Sequence, residues 1–162
     1  MTNRLVRNRE LRFTSWDAVL EDAEFLLEQG YTTSGNWTLG QAASHLAQWT
    51  SFPIDGYPKP PMVIGIAFRL MRLTGATRWM SNKILAEGFR PGSPTDPSTV
   101  PTSQITDREG VNQLEKALLK AKSHRGPLQP SPLFGEMSAE TYAQVSWLHA
   151  AHHLGFFAPK ST

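Results

Sequence analysis

Residues 15–29, SWDAVLEDAEFLLEQ, place apolar side chains at Trp16, Val19, Leu20, Ala23, Leu26 and Leu27. That spacing puts them on one side of a helix and the acidic residues on the other, with Gly30 as a stop. A second helix opens at NWTLGQAASHLAQW, where Thr38 and Gln41 stand in the capping-box arrangement that satisfies free backbone donors of the first turn. Leu39, Ala42, Ala43, Leu46 and Trp49 form its apolar stripe, and His45 lies at the edge of that stripe, towards Gln41 and Gln48. From Thr50 to Pro61, four prolines and Gly56 predict irregular chain.

Residues 62–74 come next with helical character and apolar side chains around most of the circumference, and a short helix is expected around residues 77–87. The segment FRPGSPTDPSTVPTSQ, residues 89–104, has four prolines and reads as a long crossover with no secondary structure of its own. Thr106 and Glu109 repeat the capping box, and Val111, Leu114, Leu118 and Ala121 give the next helix its buried face up to about Gly126. Ser138 caps a last helix reaching about Phe156. It carries Trp147, Ala151 and Leu154 on one side and Tyr142, Val145, His149 and His153 on the other, with no charge after Glu140. A helix apolar all round is buried, so its histidines are expected inside the protein.

No strand alternation stands out. The pattern therefore predicts an all-α fold: an antiparallel bundle of four main helices with an inserted helical crossover between the second and third. At 162 residues the chain is expected to form a single domain over 1–162 with one core.

Composition narrows the chemistry. There is no cysteine, which excludes disulfides, thiolate ligands and cysteine nucleophiles. The net charge of +2 is distributed in alternating blocks: basic at Arg4, Arg7, Arg9 and Arg12, acidic from Asp17 to Glu28, basic again from Lys59 to Arg90. Blocks of this kind pair with one another, and no nucleic-acid partner is expected. The start, MTNRLVRNRELRF, lacks the apolar stretch of a secretory signal. The most apolar run, PPMVIGIAFRLMRL, is interrupted by Arg69 and Arg72 and is too short to span a bilayer, so a cytoplasmic protein without a transmembrane segment is expected.

The stretch WLHAAHHLGFF holds three of the five histidines, His149, His152 and His153; the others are His45 and His124. His149 and His153, four apart, share a helical face, whereas His152 points roughly 80° away. Two imidazoles so placed can hold one divalent metal, and His45 on another buried helix can supply a third nitrogen. Histidines merely packed against carbonyls would show the same spacing. His124 falls in the last turn of its helix, where a surface cation complements the helix dipole.

Two segments carry a family resemblance. WTLGQAASHL, Trp37 to Leu46, resembles the start of the second helix in the DinB/YfiT-like superfamily, and HAAHHLG, His149 to Gly155, resembles its closing motif. The resemblance implies an antiparallel four-helix bundle with a three-histidine metal site whose ligands are His45, His149 and His153. It places His152 at a position that is not a ligand. Leu154 and Phe156 stand where the commoner motif has arginine and glutamine, so the chain looks more like an uncharacterised, domain-of-unknown-function branch than the thiol-transferase members.

The functional expectation is a metal-dependent enzyme, a transferase or hydrolase in the broad sense, with zinc, nickel or iron as the divalent ion. The superfamily's characterised members imply thiol-dependent transfer or isomerisation of a small-molecule substrate, with a low-molecular-weight thiol as partner. No catalytic acid or base is evident; Tyr142 could donate to a substrate, and Gln41 and Gln48 could support His45. Two readings of other classes stand beside it. One is a non-catalytic interaction module with packed, metal-free histidines, whose helix at 62–74 completes a homodimer; the other sets that helix on an anionic membrane surface.

Overall fold

In the computed structural model, residues 6–58, 70, 74–92, 99–101 and 104–160 are described. The protein is mostly helical. Its elements are α1 (Trp16–Gln29), β1 (Tyr31–Thr33), α2 (Leu39–Asp55), α3 (Ala76–Glu87), α4 (Asp107–Ser123), α5 (Ala139–Leu154) and β2 (Phe157–Pro159). Of the apolar segment 62–74 only Leu70 and Thr74 fall within the described residues, so the helix expected there lies outside them, as do residues 93–98 and 102–103 of the crossover.

The helix starts are set by the side chains that cap them. Ser15, Thr38, Thr106 and Ser138 each accept a backbone N–H of their own first turn, and both capping boxes are closed by Gln41 and Glu109. Four helices then pack around one core. The most extensive contact is α2 against α4; α1 packs on both of these, and α5 packs on α2 and α1. Val19, Ala23, Leu26, Leu39, Leu46, Leu114 and Leu154 are all at most 2% exposed at its centre. At the α2/α4 crossing Gly40 faces Gly110 with no side chain between them, and a Cβ built on Gly110 would lie 2.1 Å from the Gly40 carbonyl oxygen. Asp107 seals this end: one carboxylate oxygen accepts from the Gly40 N–H at 2.8 Å and the other from the Tyr31 hydroxyl at 3.0 Å.

The structure departs from the sequence reading in three places. Helix α2 does not stop at Thr50 but runs through Pro53 to Asp55. Proline costs a helix its i−4 bond. Here the ring is buried against the cavity beside α2, and near the helix end the Pro53 carbonyl accepts the Gln129 N–H at 2.7 Å. Helix α5 ends at Leu154, and α4 ends at Ser123 with His124 as its C-cap. Third, β1 and β2 form a two-stranded antiparallel sheet, Thr33 opposite Phe157, that periodicity did not reveal because each strand has only three residues.

This ribbon and the N-terminal segment lock the end of α5. The N–H groups of Asn8 and Arg9 donate to the Gly155 carbonyl at 2.8 and 2.9 Å. Arg9 makes a two-pronged ion pair with Asp22 on α1 and also donates to the Phe157 carbonyl. One member of the basic start thus pairs with the acidic first helix, while Asp17 of that helix pairs with Lys122 of α4. Among the described residues no helix is long and apolar enough to cross a membrane.

Candidate metal centre

Helix α2 brings His45 to the face of α5 that carries His149 and His153. The Nε2 atoms of His45 and His149 are 3.3 Å apart, and those of His153 and His149 are 3.0 Å apart. One ring nitrogen from each of the three lies within 4.8 Å of the other two. His45 is sealed from solvent at 1% exposure, while His149 and His153 each leave part of a ring open to a cavity. His152 turns to the other side, where its Nδ1–H donates to the Phe89 carbonyl at 3.2 Å. His124 sits apart at the end of α4.

The surrounding groups decide which nitrogens are free to bind. A carbonyl oxygen only accepts, so the 3.0 Å contact between His45 Nδ1 and the Thr99 carbonyl puts the proton on Nδ1 and leaves the Nε2 lone pair facing the other two rings. Trp37 stacks on His153 with the rings 9° from parallel and 5.3 Å between centroids. Trp49 and Phe89 meet His149 at 5.4 and 5.0 Å. The rings are therefore held in orientation by α2, by the segment before it, and by two points of the crossover, Phe89 and Thr99.

Electrostatics keep His149 and His153 neutral. Burial above all, and then the neighbouring histidines, hold the pKa of His149 and of His153 well below the ordinary value. A neutral imidazole is the form that ligates a metal. Three such rings in mutual contact cannot satisfy one another with protons. His149 Nε2 faces two nitrogens and can give at most one N–H, while His45 Nε2 has none to give. A cation at their centre satisfies all three lone pairs. Two of the spacings, 3.3 and 3.0 Å, are close to the separation of about 3.3–3.4 Å that metal–nitrogen bonds of about 2.0–2.1 Å at tetrahedral angles give. Among the described residues no carboxylate joins the group, so the donor set is neutral.

Sequence reasoning brought the three histidines together and set His152 apart. It missed the carbonyl of Thr99 and the ring of Phe89, both in a crossover without periodicity; Trp49, four positions after His45, was readable as a neighbour from helical spacing. Tyr142, expected to face a substrate, donates its hydroxyl to the Thr50 carbonyl at 2.6 Å, and burial pushes its pKa up. Gln41, expected beside His45, accepts the Thr38 N–H in the cap.

The family described as Protein of unknown function (DUF1569) matches residues 5–160. The chain belongs to this family. The match spans every helix and both strands, so each residue of the histidine cluster lies inside the family's domain. No curated protein and no solved structure matches the chain.

Two cavities border the cluster. One, of about 150 Å³, runs from His45 and His149 between α2 and α5 towards Tyr57 and the 131–137 loop; the other, of about 190 Å³, lies on the far side of His152 and His153, against Asn36 and Trp37. A centre placed between them is reachable by small molecules without unfolding.

Proposed function

We propose that the protein is a metal-dependent enzyme in which His45, His149 and His153 hold one divalent ion, and that this family is a branch of the DinB/YfiT-like superfamily built on its antiparallel four-helix bundle. The observation that carries the reading is the set of three imidazoles whose inward nitrogens face one another, with a proton inventory that leaves a cation as the group best able to satisfy them. When bound, the ion supplies Lewis acidity: it acidifies a water or a thiol and polarises a carbonyl.

The chain's own residues do the rest. The Thr99 carbonyl fixes the His45 tautomer, and Trp37 fixes the plane of His153. Trp49 and Phe89 exclude water from the rim of His149 and so strengthen any electrostatic interaction made there. A neutral donor set leaves the ion its full charge, which favours activation of a nucleophile. Because the chain has no cysteine, a thiol nucleophile would come from a second molecule, and the reaction class is transfer to, or isomerisation assisted by, a low-molecular-weight thiol.

Titrating chelated protein with cobalt(II) tests this. One equivalent is expected to develop visible absorption of a low-coordinate nitrogen site, and a small thiol such as cysteamine is expected to add a sulfur charge-transfer band. Absence of the visible absorption would remove the metal centre; its presence without any response to thiol would remove the thiol step alone.

A further inference from the structure

The cavity between α2 and α5 has a polar composition at its two ends and an apolar middle. At one end are the rings of His45 and His149, at the other Tyr57, whose hydroxyl is bonded to Ser131. Between them the walls are apolar or aromatic, among them Trp49, Phe89, Leu133, Phe134 and Val145. Among the hydroxyl residues that line these walls, Thr50, Tyr142 and Ser146, Tyr142 has its proton engaged by the Thr50 carbonyl. Among the described residues that line the cavity there is no aspartate, glutamate, lysine or arginine.

An ion entering such a space loses its hydration and finds no counter-charge, whereas an uncharged ring loses little and gains contact on both faces. Size sets a second limit. The volume of about 150 Å³ matches apolar cavities that take up a benzene-sized guest.

From these observations we infer that the cavity is the substrate pocket and that it takes a neutral molecule with one benzene-sized apolar group, its heteroatom directed at His149. This deepens the metal-enzyme reading and rests on it for the chemistry, but not for the binding. In the metal-free pocket, carboxylates, phosphates and ammonium compounds of the same size are disfavoured by desolvation, since the walls offer them no counter-charge. A larger substrate would present only its apolar end here.

Three probes of nearly the same shape separate charge from size: benzamide, benzoate and benzamidine. Chelated full-length protein is used, since a bound cation would attract benzoate for reasons unrelated to the walls. Binding is followed by NMR through the His149 ring and Trp49 indole signals. Benzamide is expected to bind saturably and to move both, with benzoate and benzamidine at least tenfold weaker. Val145→Phe, which fills the middle of the cavity, is expected to weaken benzamide at least tenfold; Leu133→Phe, in the opposite wall, serves if the first variant does not fold. Equal binding of a charged probe, no binding of benzamide, or unchanged benzamide binding in the folded blocking variant would overturn the inference. Cobalt titration of the same samples reports separately on the three histidines: a metal-competent protein without charge discrimination defeats only the pocket assignment, and discrimination without metal binding defeats only the metal centre.

Discussion

Replacing Gly110 by alanine tests the packing that places His45. In a helix interior this change is ordinarily favourable, by roughly 1 kcal/mol, because alanine loses less backbone entropy. At Gly110 the new Cβ would sit 2.1 Å from the Gly40 carbonyl oxygen and 2.5 Å from its Cα. Both are backbone atoms, so no side chain can swing away, and α2 and α4 must part by more than about 1 Å to reach ordinary contact. Overpacking costs about 1–3 kcal/mol, and a rigid shift between the two most extensively packed helices belongs at the upper end. After the propensity gain, a net loss of about 2 kcal/mol is expected, or a fall in Tm of roughly 4–8 °C for a chain of this size. The exposed neighbour Asn112→Ala provides the reference, since it changes helix propensity without touching α2. Urea and thermal unfolding of chelated samples compare the two. A Gly110→Ala protein as stable as Asn112→Ala would refute the close crossing, and with it the depth at which α2 sets His45.

Tyr142→Phe leaves the Thr50 carbonyl without its buried 2.6 Å donor, and a loss of about 1–3 kcal/mol in urea unfolding is expected; no loss would mean that the bond is not made. Acid should destabilise the metal-free protein. His152 is pushed down to about 4 by burial, then by the Arg7 charge, so its contribution is fully present above the unfolded value near 6.5 and is lost as pH falls from there to about 4. That interval corresponds to at most about 3 kcal/mol, with His149 and His153 acting in the same direction; a stability curve flat between pH 7 and 4, or one that rises, would contradict it. His152→Ala should leave metal content nearly unchanged, since its Nδ1 faces Phe89, and a loss as complete as in His153→Ala would overturn that orientation.

The sequence was most informative where physics is local. Capping boxes at Thr38 and Thr106, with apolar stripes behind them, located helix starts that the structure reproduces at Leu39 and Asp107, because N-cap side chains act within one turn. The four-residue spacing of His149 and His153 was likewise enough to put both on one face. Non-local effects were not readable. The ribbon pairs Tyr31 with Pro159 across nearly the whole chain, and strands of three residues give no period to detect. Pro53 read as a helix stop, since nothing nearby announces that its ring will be buried by distant segments while α2 continues to Asp55. The Thr99 carbonyl, which sets the tautomer of His45, is a backbone group and has no sequence signature at all. Tertiary position, supplied by α2 crossing α4 at two glycines, turns a common histidine spacing into a cluster of three.

The central claim is that His45, His149 and His153 act as one metal-binding unit, and elemental analysis of protein purified without an affinity tag tests it most directly. Wild type, incubated with zinc and then freed of loose metal by gel filtration, should retain one ion per chain. His45→Ala, His149→Ala and His153→Ala should each retain less than about a tenth of that, because removing one of three ligands opens the site. Wild-type protein that holds no metal after loading, or a His45→Ala variant that keeps a full equivalent, would contradict the account.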